Sequence, residues 1–226
     1  MKYEIKGEPF PVVICNLTAG ESIKCQAGAM AWMSPNMGMK TQSGGLGKMF
    51  GKALTGESLF ENVYTTENGD GMIAFTTGVP GRILSVELQP GQTIIAQKRS
   101  FLAASTTIEM STAVQKKFGA GLLGGEGFIM QKFDGQGQLF LEIDGAMIEY
   151  TLEAGQVMLV DTGSLAAMEG SVQMDVESVK GGLGNKLVGG EGFFNTKLTG
   201  PGKIWLQTMP VSQLAEAVKP FIPTGR

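Results

Sequence analysis

No histidine occurs among the 226 residues. That absence removes the Ser-His-Asp and Cys-His nucleophilic arrangements and every zinc site built on imidazole. Cysteine is nearly absent too. Cys15 and Cys25 are the two present, too few for a disulfide framework and without the spacing of metal ligands. Both lie in stretches that read as strand interiors, so reduced, buried thiols in a cytoplasm are expected. No apolar run reaches the roughly 18 residues that a membrane-spanning helix needs. The opening MKYEIKGEPF mixes charges of both signs and lacks the apolar centre of a signal peptide, which predicts a soluble, unexported chain. An excess of one charge is also missing: 18 Lys and Arg oppose 21 Asp and Glu, for a net charge of −3. Such a balance supplies no long-range field for nucleic acid or an anionic membrane. Adjacent basic residues occur only at Lys98-Arg99 and Lys116-Lys117, a weak nucleic-acid signal.

Glycine, in contrast, is abundant. A count of 34 Gly and 9 Pro is too high for a helical protein and suits a turn-rich β architecture. The glycines fall in a pattern. Residues 124 to 141 read GGEGFIMQKFDGQGQLFL, residues 189 to 206 read GGEGFFNTKLTGPGKIWL, and a looser copy starts at Gly56 with GESLFENVYTTENGDGMIAF. Upstream of each copy stands a β-rich run, a tight turn and a second run: VVICNLTAGESI at 12 to 23, ILSVELQPGQTI at 83 to 94 and MIEYTLEAGQVM at 147 to 158. Leu17, Leu88 and Leu152 align, as do Gly20, Gly91 and Gly155, each glycine being followed by Glu or Gln. A recurring period of this length is the signature of a chain assembled from similar units. Units of this size bury their surface poorly alone, so a single domain over residues 1–226 is expected, with repeats over about 10–77, 80–144 and 145–209 sharing a core.

The expected fold is therefore all-β, with three internal repeats of antiparallel β-hairpin units related by pseudo-threefold symmetry. Each L-x-x-G-[EQ] segment is read as a hairpin turn, with Gly accepting positive φ. The Gly-x-Gly turns at Gly135 and Gly200 should likewise each hold a residue at positive φ. Alternation in the closing strands MIAF, QLFL and KIWL turns Ile73, Leu139, Ile204, Phe75, Leu141 and Leu206 inward. It turns Ala74, Phe140 and Trp205 outward, which makes Phe140 and Trp205 candidate interface residues against another subunit. Helix is predicted only near the C-terminus, over about 212–219, with Ser212 capping it and Pro220 ending it.

Motifs for chemistry are few. Gly119-Ala120-Gly121-Leu122-Leu123-Gly124 matches G-x-G-x-x-G, yet the next residues, Gly125-Glu126-Gly127-Phe128, are strand-like rather than the helix a dinucleotide site requires. Gly47-Lys48-Met49-Phe50-Gly51-Lys52 resembles a Walker loop but is one residue short and ends in Ala53, with no hydroxyl for magnesium. The same GKMFGKAL stretch is short and glycine-bearing for a membrane-touching amphipathic helix. Met30, Met33, Met37 and Met39 read as core or interface. Glu57, Glu126 and Glu191 occupy the same place in the three copies. Gathered near an axis they would repel one another or recruit a cation such as calcium; otherwise each bonds nearby turn N–H groups or faces water beside Lys132 and Lys197. The second reading is favoured. No catalytic, metal or cofactor-binding residue is assigned.

The threefold L-x-x-G-[EQ] and the GGEGFF...GxG element resemble the mitochondrial-biogenesis (altered inheritance of mitochondria) family, from about Phe10 to Thr208. The resemblance implies a β fold like that of the tryptophan RNA-binding attenuation protein, with three such units per chain assembled into rings, and a homo-oligomer, a trimer. It supplies no catalytic residues. Two functional classes remain: a non-enzymatic oligomeric scaffold or interaction protein, and as the alternative a small-ligand or lipid-surface binding module using the glycine-rich loops.

Overall fold

The computed structural model describes residues 1–42, 61–116, 128–178 and 194–222. Apart from β1 (Lys2–Lys6) and a C-terminal helix, the described chain runs as three sets of six strands. The first set is β2 (Val12–Leu17), β3 (Ser22–Gln26), β4 (Met30–Met33), β5 (Met37–Gln42), β6 (Glu61–Thr66) and β7 (Gly71–Thr76). The second is β8 (Gly81–Leu88), β9 (Thr93–Gln97), β10 (Phe101–Ser105), β11 (Ile108–Lys116), β12 (Phe128–Gly135) and β13 (Gly137–Asp144). The third is β14 (Met147–Leu152), β15 (Val157–Asp161), β16 (Leu165–Glu169), β17 (Gln173–Ser178), β18 (Phe194–Thr199) and β19 (Gly202–Gln207). The strands pair antiparallel, and the architecture is all-β, with one short α-helix among the described residues.

The strands make four sheets, ordered β1-β2-β7-β4, β5-β6-β3-β10-β13-β8, β11-β12-β9-β16-β19-β14 and β15-β18-β17. In each set the sixth strand lies between the first and third, and the fifth between the second and fourth. The L-x-x-G-[EQ] turns are consequently not hairpins, contrary to the sequence expectation. Strands β2 and β3 lie in different sheets, as do β8 and β9, and β14 and β15. Alternation and turn chemistry look the same whether a tight turn returns to its own sheet or crosses to the facing one. What separates the two is which strand face is buried, and here both sheets flank a common core.

Three clusters of buried apolar residues fill the spaces between successive sheets. One joins Val13, Cys15, Leu17, Ile73 and Phe75 to Phe140. A second joins Leu88, Phe133, Leu139 and Leu141 to Trp205. The third gathers Met130, Leu152, Val160, Leu198 and Ile204. Phe75, Phe101, Phe133 and Phe140 are fully buried, each worth about 1.5–3 kcal/mol over exposure. The expected inward residues Ile73, Leu139, Ile204, Phe75 and Leu141 are all buried, while Leu206 is half-buried.

The Gly-x-Gly turns behave as expected: Gly135 has φ 121°, Gly137 φ 136° and Gly202 φ 140°. Helix α1 spans Val211–Val218 and is preceded by Pro210; no side chain of its own first turn caps it. Ser212 is therefore not the cap. The Asp144 carboxylate, reaching from the end of β13, accepts the free backbone N–H of Val211 at 2.8 Å, a partner that neighbouring sequence positions do not disclose.

Candidate interaction surface

The two six-stranded sheets are built alike. In each, a second strand of one set pairs with a third strand of the next, β3 with β10 and β9 with β16. These are the joints between sets. Their registers correspond, Ala103 facing Cys25 and Ala104 facing Lys24 in one, Ala167 facing Ala96 and Met168 facing Ile95 in the other. Among the described strands β4 pairs only with β7, and β15 only with β18. The outer sheets thus end on the two strand types that form joints elsewhere.

Burial follows the same division. The third strands β10 and β16 are buried over four consecutive residues, Phe101 to Ala104 and Leu165 to Met168. In β4, Trp32 is 45% and Met33 37% exposed; in β15, Val157 is 50% and Leu159 65% exposed. Apolar side chains of this size thus meet water at two strands that are sheet edges among the described residues. Of the remaining methionines, Met37 is buried, Met30 is partly buried against the first core and Met39 is exposed.

Phe140 and Trp205 lie elsewhere than at a subunit surface. Phe140 is fully buried and Trp205 is 4% exposed. They do point away from their own sets, as alternation requires, but into the core of the preceding set. The sequence signal was correct about direction, and the partner proves to be the same chain. Tyr3 on β1 closes over Phe140 edge-on, with ring centroids 4.9 Å apart and its hydroxyl 2.6 Å from Ser85 Oγ. The Trp205 indole N–H donates to Glu149 Oε2 at 2.7 Å, while Lys203 Nζ lies 2.8 Å from Glu149 Oε1. The hydrogen bond from Lys203, more than that from Trp205, holds the Glu149 carboxyl below its usual range.

Two partly buried carboxylates, Glu142 and Asp144, bind backbone. Glu142 Oε1 accepts from the N–H groups of Gly78 at 2.9 Å and Val79 at 3.2 Å, tying the end of the first set to β13. Burial raises the Glu142 pKa, with Asp144 adding to the rise, against the lowering effect of these N–H donors and Arg99. Asp144 is raised by burial as well. Burial pushes the thiols of Cys15 and Cys25 up to about 12, and both are free. Among the described residues no three His, Cys, Asp or Glu are placed to hold a metal ion, and no helix is long and apolar enough to cross a membrane. Glu57, Glu126 and Glu191, the GKMFGKAL stretch and the G-x-G-x-x-G segment all lie outside the described residues.

A family model described as mitochondrial biogenesis AIM24 matches residues 3–209. An uncharacterized protein of Streptococcus pyogenes serotype M6 is 30% identical over 226 residues, covering 96% of this chain and 88% of that protein. The crystal structure of a Streptococcus pyogenes protein superposes with a TM-score of 0.80 at 27% identity, over 98% of this chain and 99% of the other.

Proposed function

The chain belongs to the mitochondrial biogenesis AIM24 family, and from that premise we propose that it is a non-enzymatic, self-associating β scaffold of the cytoplasm, where Cys15 and Cys25 stay reduced. The observation that carries this reading is the pair of open sheet edges, β4 and β15, whose Trp32, Met33, Val157 and Leu159 are exposed although joint strands of the same kind are buried within the chain. Burying such side chains against another protein surface removes apolar area from water at about 25 cal/mol per Å², and closed assembly leaves no reactive edge. Several polar groups hold the chain together: Glu142 bonds Gly78 and Val79, Asp144 bonds Val211, and Glu149 bonds Lys203 and Trp205.

Native mass measurement with a denatured control tests the scaffold reading. A native mass at an integer multiple of the 23.9 kDa chain, with no additional component, is expected. A single chain carrying extra mass that is lost on denaturation would replace the scaffold with the small-ligand module.

A further inference from the structure

Four linkers lie side by side at one end of the strands. They precede β2, join β7 to β8 and β13 to β14, and follow β19. Backbone bonds fix their order: the N–H of Gly81 donates to Pro9 O at 2.7 Å, that of Gly145 to Pro80 O at 2.9 Å and that of Met209 to Asp144 O at 3.3 Å. Strands β2, β8 and β14 run from this end to the L-x-x-G-[EQ] turns. The two ends differ in character. At the turn end, residues 18–21, 89–92 and 153–156 carry no large apolar side chain. At the linker end Phe10 is 67% and Met209 44% exposed, and α1, which starts here, has no buried residue. The spacing of Val211, Leu214 and Val218 puts them on one helix face, and Phe221 and Ile222 just beyond it are exposed.

A second observation concerns the linker backbone. Across residues 9–11, 77–81, 145–146 and 208–211, every residue either is proline, with no N–H to offer, or donates its N–H within the chain. Surface loops ordinarily leave such donors to water. Acyl chains accept no hydrogen bond, so backbone that enters them must be satisfied beforehand. Charges at this end are paired likewise, Glu8 with Arg82 and Glu216 with Lys219 at 3.5 Å. Arg99 adds a cation. It is exposed and near enough to Glu142 and Asp144 to oppose the rise that burial causes in both carboxyl groups.

We propose that this end of the molecule docks on the surface of a lipid bilayer: Phe10, Met209, Phe221 and the open face of α1 enter the boundary between headgroups and acyl chains, and Arg99 meets an anionic headgroup. A short amphipathic helix lying in that boundary, with single apolar side chains on satisfied turns beside it, supplies the buried apolar area that such binding scales with. Arg99 supplies the charge complementarity. The net charge of −3 gives no attraction over distance, so the contact is apolar first and anionic second. A protein partner fits this end less well, because protein interfaces are held partly by direct hydrogen bonds and these linker stretches have no N–H left to give. The surface shares no residue with β4 or β15, so the proposal stands apart from the scaffold reading.

Vesicle flotation of the whole chain tests it, with vesicles of phosphatidylcholine alone and of phosphatidylcholine mixed with phosphatidylglycerol. The protein should float with both and more strongly with the mixed vesicles, the surplus disappearing at high salt and in Arg99→Gln. Phe10→Ser combined with Phe221→Ser should weaken flotation about tenfold or more, with circular dichroism and native mass unchanged. Tyr150→Ser, at an exposed position of β14, should float as wild type does. A second readout does not depend on those variants. Phe221→Cys carrying an environment-sensitive dye should shift its emission to the blue on the mixed vesicles; the native thiols, buried and pushed up to about 12, do not compete for the label. Wild type that floats with neither vesicle, or a dye that does not shift, overturns lipid docking and leaves this end to a protein partner. Flotation that survives the double variant, or is lost in Tyr150→Ser, overturns the placement of the surface at the linkers. The native mass of the wild type decides the scaffold reading separately.

Discussion

Gln156 Oε1 accepts a hydrogen bond from the backbone N–H of Glu153 at 2.8 Å, and Gln92 Oε1 accepts one from the N–H of Gln89 at 3.0 Å. In the first set the carboxylate of Glu21 takes the N–H of Thr18 at 3.0 Å. Each turn is also closed by the backbone, from the N–H of Glu21, Gln92 and Gln156 to the carbonyls of Thr18, Gln89 and Glu153. This explains why a residue with an acceptor oxygen on its δ-carbon stands after each turn glycine: it satisfies a donor that the crossing between sheets would leave open. Gln156→Ala should lower stability by about 1 kcal/mol, the usual net worth of such a bond, and Gln156→Glu should lower it less. Urea unfolding measures both; equal midpoints for wild type and Gln156→Ala would reject the brace.

The Gly-x-Gly crossing between β12 and β13 tolerates no side chain. A Cβ on Gly135 would press on the backbone carbonyl of Thr107, and one on Gly137 would lie 2.7 Å from Ser105 Cβ. With φ of 121° and 136°, both positions are also strained for any L side chain. Gly135→Val and Gly137→Val should each destabilise by more than about 1 kcal/mol. Thermal melts unchanged in both would show that the turn relaxes at no cost.

Phe140→Ala should cost about 3–5 kcal/mol, as for other large aromatics deleted from a packed core, because Phe140 seals the first core against the second set and carries Tyr3. Trp32→Ala, at the corresponding joint position on an open edge, should leave the melting of a dissociated chain nearly unaltered. Chemical denaturation at a concentration low enough to separate copies compares the two. Similar losses would mean that Trp32 is already covered within its own chain.

Much of this was legible in local pattern. Strand alternation and turn glycines depend on neighbours along the chain, so Ile73, Leu139 and Ile204 were assignable to the interior, and Gly135 to a turn at positive φ. Partner choice was not legible. The crossing of β2 to β3 between sheets, the burial of Phe140 under a preceding set and the capping of α1 by Asp144 each depend on contacts between distant segments. Trp32 was passed over for the same reason. Its equivalence to Phe140 appears only in the strand registers, where Trp32 on β4 stands opposite Ala74 on β7 and Phe140 on β13 stands opposite Ala103 on β10, because the ring has changed strands.

Glu142 gives the protein a defined pH response. Its carboxyl is raised by burial, so the folded chain binds this proton more tightly than the unfolded one. The corresponding stability is full below the unfolded value near 4.5 and is lost as pH rises through the higher folded value. Glu142→Gln keeps an oxygen for the N–H groups of Gly78 and Val79 without a buried charge. The variant should therefore gain stability relative to wild type as pH rises from about 4 to about 7. Melting temperatures that track each other across that range would contradict the assignment.

Sedimentation equilibrium of the wild-type protein across a micromolar dilution series tests the scaffold most directly. The scaffold reading predicts a species at an integer multiple of the 23.9 kDa chain, three copies being the number the family resemblance implies, with dissociation only at the lowest concentrations. A single species at 23.9 kDa throughout would contradict self-association and leave Trp32 and Leu159 as solvent-facing residues of a monomer.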